Sequence, residues 1–222
     1  MRFMLSNIGA LIGALGFAGL IAIIGKAFLS MTKLTIKFQS LGFALDKITK
    51  GNLAEYKRSI EFLMELNDKF GAKLSTTADR WLKFRAAARA TNLSLKDTMQ
   101  IFKSVTKASA VLGLSTDELK GVYLALEQML SKGKVTTEEL RRQLGERLPG
   151  AMDIMAKAVG VSVSQLDKML KKGEVLSAEA LPKFAKALEE AYGIESLEKV
   201  ENLATGVGKM SGAWDRFVFT VS

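Results

Sequence analysis

Glu195 and Ser196 stand side by side in GIES, residues 193–196. A carboxylic acid in a sugar-shaped cleft, its pKa raised by its surroundings, is the group that protonates a glycosidic oxygen. No companion motif accompanies this pair, so a capped helix start is the simpler reading. A second cluster mixes rings and cations. In DRWLKFRAAARA, Asp79 to Ala90, Trp81 and Phe84 are interleaved with Arg80, Lys83, Arg85 and Arg89. Rings stack on bases and cations bind phosphates, which is how single-stranded nucleic acid is gripped. Trp81, Phe84 and Ala88 nevertheless share one face at helical spacing, as core residues do.

Other chemistries are limited by what the chain lacks. It has no His and no Cys, which removes the usual zinc, haem and thiolate sites and the commonest general base near neutral pH. A magnesium site made of carboxylates alone stays open. No glycine-rich phosphate loop of P-loop type is present. The chain is therefore expected to be no enzyme and to use no cofactor. Its 222 residues carry a net charge of +9. Residues 1–110 hold 17 Lys/Arg against 7 Asp/Glu, whereas residues 111–222 hold 15 against 16, so the basic excess belongs to the first half.

The elements that would position these groups read as helices. Only 2 prolines occur, Pro149 and Pro182, and hydrophobic residues make up 48%. Phe3 to Gly25 is uncharged. As a helix it would span roughly 35 Å, against about 30 Å for a bilayer core. Gly9, Gly13, Gly16 and Gly19 recur along it, and Gly9 with Gly13 forms a small-xxx-small pair suited to helix self-association. Membrane insertion and burial in an oligomer are both open.

Beyond Met31 the apolar residues recur with a helical period, as in Ile101, Val105, Ala108 and Leu112, or Leu181, Phe184, Leu188 and Tyr192. Ser115 with Glu118, Thr136 with Glu139 and Ser162 with Gln165 have the spacing of capping boxes, and Ser94 and Ser177 read as simpler caps. MLSKGKV at Met129 is echoed by MLKKGEV at Met169; each reads as a helix end with Gly just past it. Val200, Leu203, Val207, Met210, Trp214, Phe217 and Val221 are spaced alternately three and four apart, the seam of a coiled coil. The fold is expected to be all-α: a bundle of short helices with a hydrophobic N-terminal helix and a C-terminal heptad-pattern helix. The divisions fall at 1–31 for the apolar helix, 32–195 for the bundle and 196–222 for the start of a long helix in a longer chain.

The most particular stretch is EELRRQLGERLPGAMDIMAKAVG, Glu138 to Gly160. As a helix from Thr136, it places Glu138, Arg142 and Glu146 on one row and Glu139, Gln143 and Arg147 on the next. Such pairs contribute about 0.2–0.5 kcal/mol each. Gly145 inside a helix costs about 1 kcal/mol against Ala, so another helix is expected to approach it closely. Pro149 disfavours helix at Leu148 and suits the first position of a new one. The stretch therefore predicts a tight corner between two helices, with Gly145 and Gly150 leaving room.

ELRRQLGERLPGA, followed by LDKMLKKGEVL and LPKFAKAL, resembles the conserved domain near the N-terminus of tail tape measure proteins of long-tailed bacteriophages. The resemblance covers Leu114 to Gly193, with an apolar glycine-rich helix before it and SGAWDRF after it in similar order. It implies Arg142, Gly145, Glu146, Arg147, Leu148, Pro149 and Gly150 as the family's structural joint, and no catalytic residues. It further implies a phage or prophage protein inside the tail tube that helps set tail length, initiates assembly and leaves during DNA ejection. Expected partners are further copies of the chain, tail tube and assembly proteins, the genomic DNA in passing without sequence preference, and the host membrane during ejection. The expected locations are the tail lumen, the cytoplasm during assembly and the host envelope during ejection. The alternatives are a membrane-active pore-forming helical protein, carried by Phe3–Gly25, and a peptidoglycan-cleaving enzyme using Glu195.

Overall fold

Short polar side chains begin most of the helices. The computed structural model describes residues 35, 36, 39–195 and 197–221, with 214 and 216–221 as helix backbone only. Residues 39–49 form α1. It is followed by α2 (Leu53–Phe70), α3 (Leu74–Ala90), α4 (Leu95–Val111) and α5 (Thr116–Ser131). A π-helical turn occupies Glu138–Leu144, and α6 (Ala151–Val159), α7 (Val163–Lys172), α8 (Ser177–Ala191) and α9 (Leu203–Val221) complete the order. The fold is all-α; among the described residues the one extended contact is an isolated antiparallel bridge between Lys134 and Leu176. No described helix is long and apolar enough to cross a membrane. The apolar segment Phe3–Gly25, with Gly9, Gly13, Gly16 and Gly19, lies outside the described residues.

The boxes at Ser115/Glu118 and Ser162/Gln165 are both closed, each hydroxyl accepting from the N3 amide and each N3 side chain accepting from the cap. Ser94 accepts from Asp97 N at 3.0 Å. Two caps differ from the sequence reading. Thr136 donates its hydroxyl to the Glu139 carboxylate rather than capping an amide, and the chain enters the π-turn through Thr137. Ser177 is the first residue of α8, with Leu176 in the cap position. The Ser177 amide donates to Gly133 O at 3.1 Å.

That last bond belongs to a contact between the two echoed segments. Val135 N donates to Val175 O at 2.8 Å beside the Lys134–Leu176 bridge. Gly133 and Gly173 have φ of +69° and +72°, the left-handed conformation that ends a helix without a Cβ penalty. Each copy of the echo thus stops its own helix and supplies the short extended edge that pairs with the other.

The core is continuous from Leu45 to Val200. α3 packs on α5, and α4 and α6 pack on α8. Five rings join α2, α3, α4 and α5: Phe62, Trp81, Phe84, Phe102 and Tyr123. Phe102 and Tyr123 stack at 4.0 Å, and Trp81 meets Phe102 edge-on at 5.3 Å. Such pairs add about 0.5–1.5 kcal/mol each beyond their burial. Trp81, Phe84 and Ala88 are fully buried. Arg80 and Arg85 are held within the protein, paired with Glu127 at 3.2 Å and with Glu55 at 3.0 Å, whereas Lys83 pairs with Asp79 at 3.6 Å on the surface. The rings of this segment are core and present no surface on which bases could stack.

Candidate functional site

The joint divides into an inner and an outer set. Leu148 is fully buried, while Arg142, Glu146, Pro149 and Gly150 are exposed. Gly145 N donates to Leu140 O at 3.0 Å, five residues back, as the π-turn requires. A Cβ at Gly145 would overlap the carbonyl of Arg141 and lie 3.2 Å from that of Leu140. The neighbour that forces glycine here is therefore the preceding turn of its own backbone and not a second helix, because the π-turn sets both carbonyls beneath residue 145. The close approach expected at Gly145 occurs instead at Gly121 in α5. The Arg147 guanidinium lies across it, and a Cβ there would stand 2.5 Å from Nε.

The corner itself also differs from the sequence reading. α6 begins at Ala151, and Gly150, at φ +76°, is its N-cap. Pro149 therefore precedes the helix rather than opening it, and its carbonyl accepts from the Tyr192 hydroxyl at 2.9 Å. Glu138 and Arg142 do pair along the surface, at 3.6 Å. Glu139, placed on the next row, is turned inward and is 1% exposed. Burial pushes its carboxyl up, but the bonds from Lys132 and Thr136 outweigh that and hold it below the usual carboxylate range.

A second constellation sits where α9 crosses the turn between α2 and α3. α9 opens with a reciprocal cap: Thr205 N donates to Asn202 Oδ1 and Asn202 N to Thr205 Oγ1, both at 2.9 Å. Thr205, Gly208, Gly212 and Asp215 are then buried in succession. The left-handed Gly71 ends α2 so close to α9 that a Cβ on it would stand 2.5 Å from the Thr205 backbone. A Cβ on Gly208 would overlap the Gly71 carbonyl, and one on Gly212 would overlap the Asn67 amide. Asn67 Nδ2 donates to Ala72 O at 3.0 Å and to Gly208 O at 3.4 Å. Asp215 Oδ2 accepts from Ser75 N at 2.9 Å. α3 has no side-chain cap of its own, so an acid from 140 residues away supplies one. An acid there also faces the positive end of the helix dipole.

The proposed seam is partly placed. Val200 lies before α9, buried, with its amide donated to Lys69 O at 2.9 Å, so it belongs to the core rather than to the helix. Leu203, Val207 and Met210 are 85%, 60% and 78% exposed. The side chains of Trp214, Phe217 and Val221 lie outside the described set. Glu195 does not start a helix. It is exposed on the turn after α8, and its carbonyl accepts from Lys107 Nζ at 3.1 Å; Ser196 lies outside the described residues. Among the described residues no three acids gather in a way that could hold a metal ion.

These features define an all-helical bundle, in which the polar groups described serve caps, corners and a helix clamp. The chain belongs to the tape measure protein family: the family model described as "Tape measure protein" matches residues 29–222. It is also similar to a probable tape measure protein of Salmonella phage Felix O1, 32% identical over 166 residues, which are 73% of this chain and 22% of that protein. The chain thus spans about a fifth of the length of that relative. No solved structure matches it.

Proposed function

We propose that the chain is part of a bacteriophage or prophage tail protein that lies inside the tail tube, takes part in tail assembly and length determination, and leaves with the genome during ejection. Family membership over residues 29–222 carries this reading. The fold supports it, since a packed bundle ending in a clamped helix suits a structural component. The partners are tube and assembly proteins, further copies of the chain, and the DNA in passing. Contact with the host membrane at ejection falls to the apolar segment Phe3–Gly25. The protein is cytoplasmic during assembly, then housed in the tail lumen, then delivered to the host envelope.

Quantitative mass spectrometry of purified virions, before and after triggered ejection, tests the proposal. Peptides from this chain are expected in intact particles and are expected to fall relative to tube protein in emptied ones. Absence from virions, or an unchanged ratio after ejection, would overturn it.

A further inference from the structure

The bundle and its last helix are held by different means. The continuous core contains no described side chain of α9. Those α9 side chains that are described and buried are Thr205 and Asp215, with Gly208 and Gly212 between them. By contrast, α2 buries Phe62, Leu63, Leu66 and Phe70, and α8 buries Leu181, Phe184 and Leu188. Burial of apolar surface is the dominant favourable term in packing, and the described docking face of α9 contributes almost none. At the end of α2 and the start of α3 it is held by two polar bonds, from Ser75 N to Asp215 and from Asn67 Nδ2 to Gly208 O, and by the backbone approach at Gly71.

Docking also carries a cost. Asn67 Nδ2 donates to two carbonyls, Ala72 O and Gly208 O, which fixes the orientation of the amide. Its Oδ1 then lies against Gly212, buried, and no donor among the described residues reaches it. An acceptor sealed from water without a partner opposes the contact that seals it. The chain leading into α9 is fixed more firmly. Ile194 and Val200 are buried. The buried Lys107 pairs with Glu189 at 3.6 Å and donates to Glu195 O. Asn202 Nδ2 donates to Ala110 O at 2.7 Å while its Oδ1 caps α9.

We propose that α9 is a latch: it pivots at Asn202 and lifts from the end of α2 and the start of α3 while α1–α8 stay folded. Lifting takes Asp215 away from the α3 N-terminus, opens Asn67 Oδ1 to water and uncovers Gly71. The fold thus has two states built on one bundle, with α9 docked in the ground state and free in the other. The pivot rests on the packing of α9 and is independent of the chain's place in a tail.

Native-state hydrogen exchange, read by NMR on the full chain in mild detergent, tests this. The Ser75 amide lies in the first turn of α3 and its partner is Asp215, so it reports the docking of α9. Ser75 and the α9 amides from Gly208 to Asp215 are expected to exchange at least about a hundredfold faster than those of Val200 and Phe102, with a weaker dependence on denaturant. Exchange of Ser75 at the rate of Phe102 would overturn the proposal, because α9 would then leave only on global unfolding. So would equal exchange at Ser75 and Val200, which would put the pivot elsewhere. The chain has no native cysteine, so Asn67→Cys with Gly212→Cys ties α9 down on oxidation. Ser75 exchange should slow at least about tenfold from the reduced to the oxidised variant; an unchanged rate would mean that α3 merely frays there and would also overturn it. Gly208→Ala, whose methyl would overlap the Gly71 carbonyl, should leave Ser75 unprotected while the bundle still melts cooperatively. Loss of the cooperative melt in that variant would make α9 integral to the fold and end the latch reading.

Discussion

Gly145 shows how much one atom is worth at the joint. In an ordinary helix, replacing Gly by Ala stabilises by about 1 kcal/mol. Here the added methyl would overlap the Arg141 carbonyl. Gly145→Ala is therefore expected to destabilise by about 1–3 kcal/mol, the usual range for overpacking. Gly206→Ala, whose added methyl would meet nothing within 4 Å, should be neutral or stabilising. Urea midpoints of the two variants measure the difference, and equal effects would mean that the turn relaxes freely. Glu139 provides a pH signature. Its carboxyl is held below the usual value near 4.5, so between the two values the unfolded chain binds more protons and folding weakens as pH falls. The stability gap between wild type and Glu139→Gln should be full above about pH 5 and should shrink as pH drops through the lowered pKa. A gap independent of pH would place the carboxylate in solvent. The sequence made Gly145 conspicuous through its cost in a helix, but it gave no sign that the helix was π-wound, so the neighbour expected there was the wrong one. Arg147 against Gly121 pairs residues 26 positions apart in sequence, a distance that helical periodicity does not see.

At the scale of elements, local chemistry was legible and trans chemistry was not. The closed boxes at Ser115 and Ser162 depend on residues three apart, and both were readable. The cap on α3 was not, because Asp215 reaches it from α9. Asp215→Ala is expected to cost about 0.5–2 kcal/mol, the worth of an N-cap. Asp215→Asn, which keeps an acceptor for Ser75 N, should recover most of it. Thermal melts of both variants decide this, and equal losses would show that charge rather than the hydrogen bond matters. The clamp could have been found from the spacing that singled out Gly9 and Gly13, which recurs at Gly208 and Gly212. The heptad pattern obscured it, since large apolar residues draw attention to the face that proves to be exposed. The echo at Met129 and Met169 was visible as two helix ends, but the pairing of those ends was not, because a single bridge leaves no strand periodicity.

For the whole molecule, the helical class followed from composition, caps and period, and the joint motif carried the family. What remained hidden was how the last helix sits: α9 is clamped on the bundle from Thr205 to Asp215, with Leu203, Val207 and Met210 turned outward, rather than being released from it at once. A ruler built from such a helix must grow beyond the clamp. Three tandem copies of Val207–Thr220 inserted after Thr220 add six whole heptads, roughly 63 Å at about 1.5 Å per residue, and leave the clamp and register intact. Electron micrographs of tails from phage carrying this insertion should show an increase of about that length, and a two-residue insertion at the same place should lower tail yield by breaking the seam. Tails of unchanged length at normal yield would contradict the account and remove this helix from the ruler.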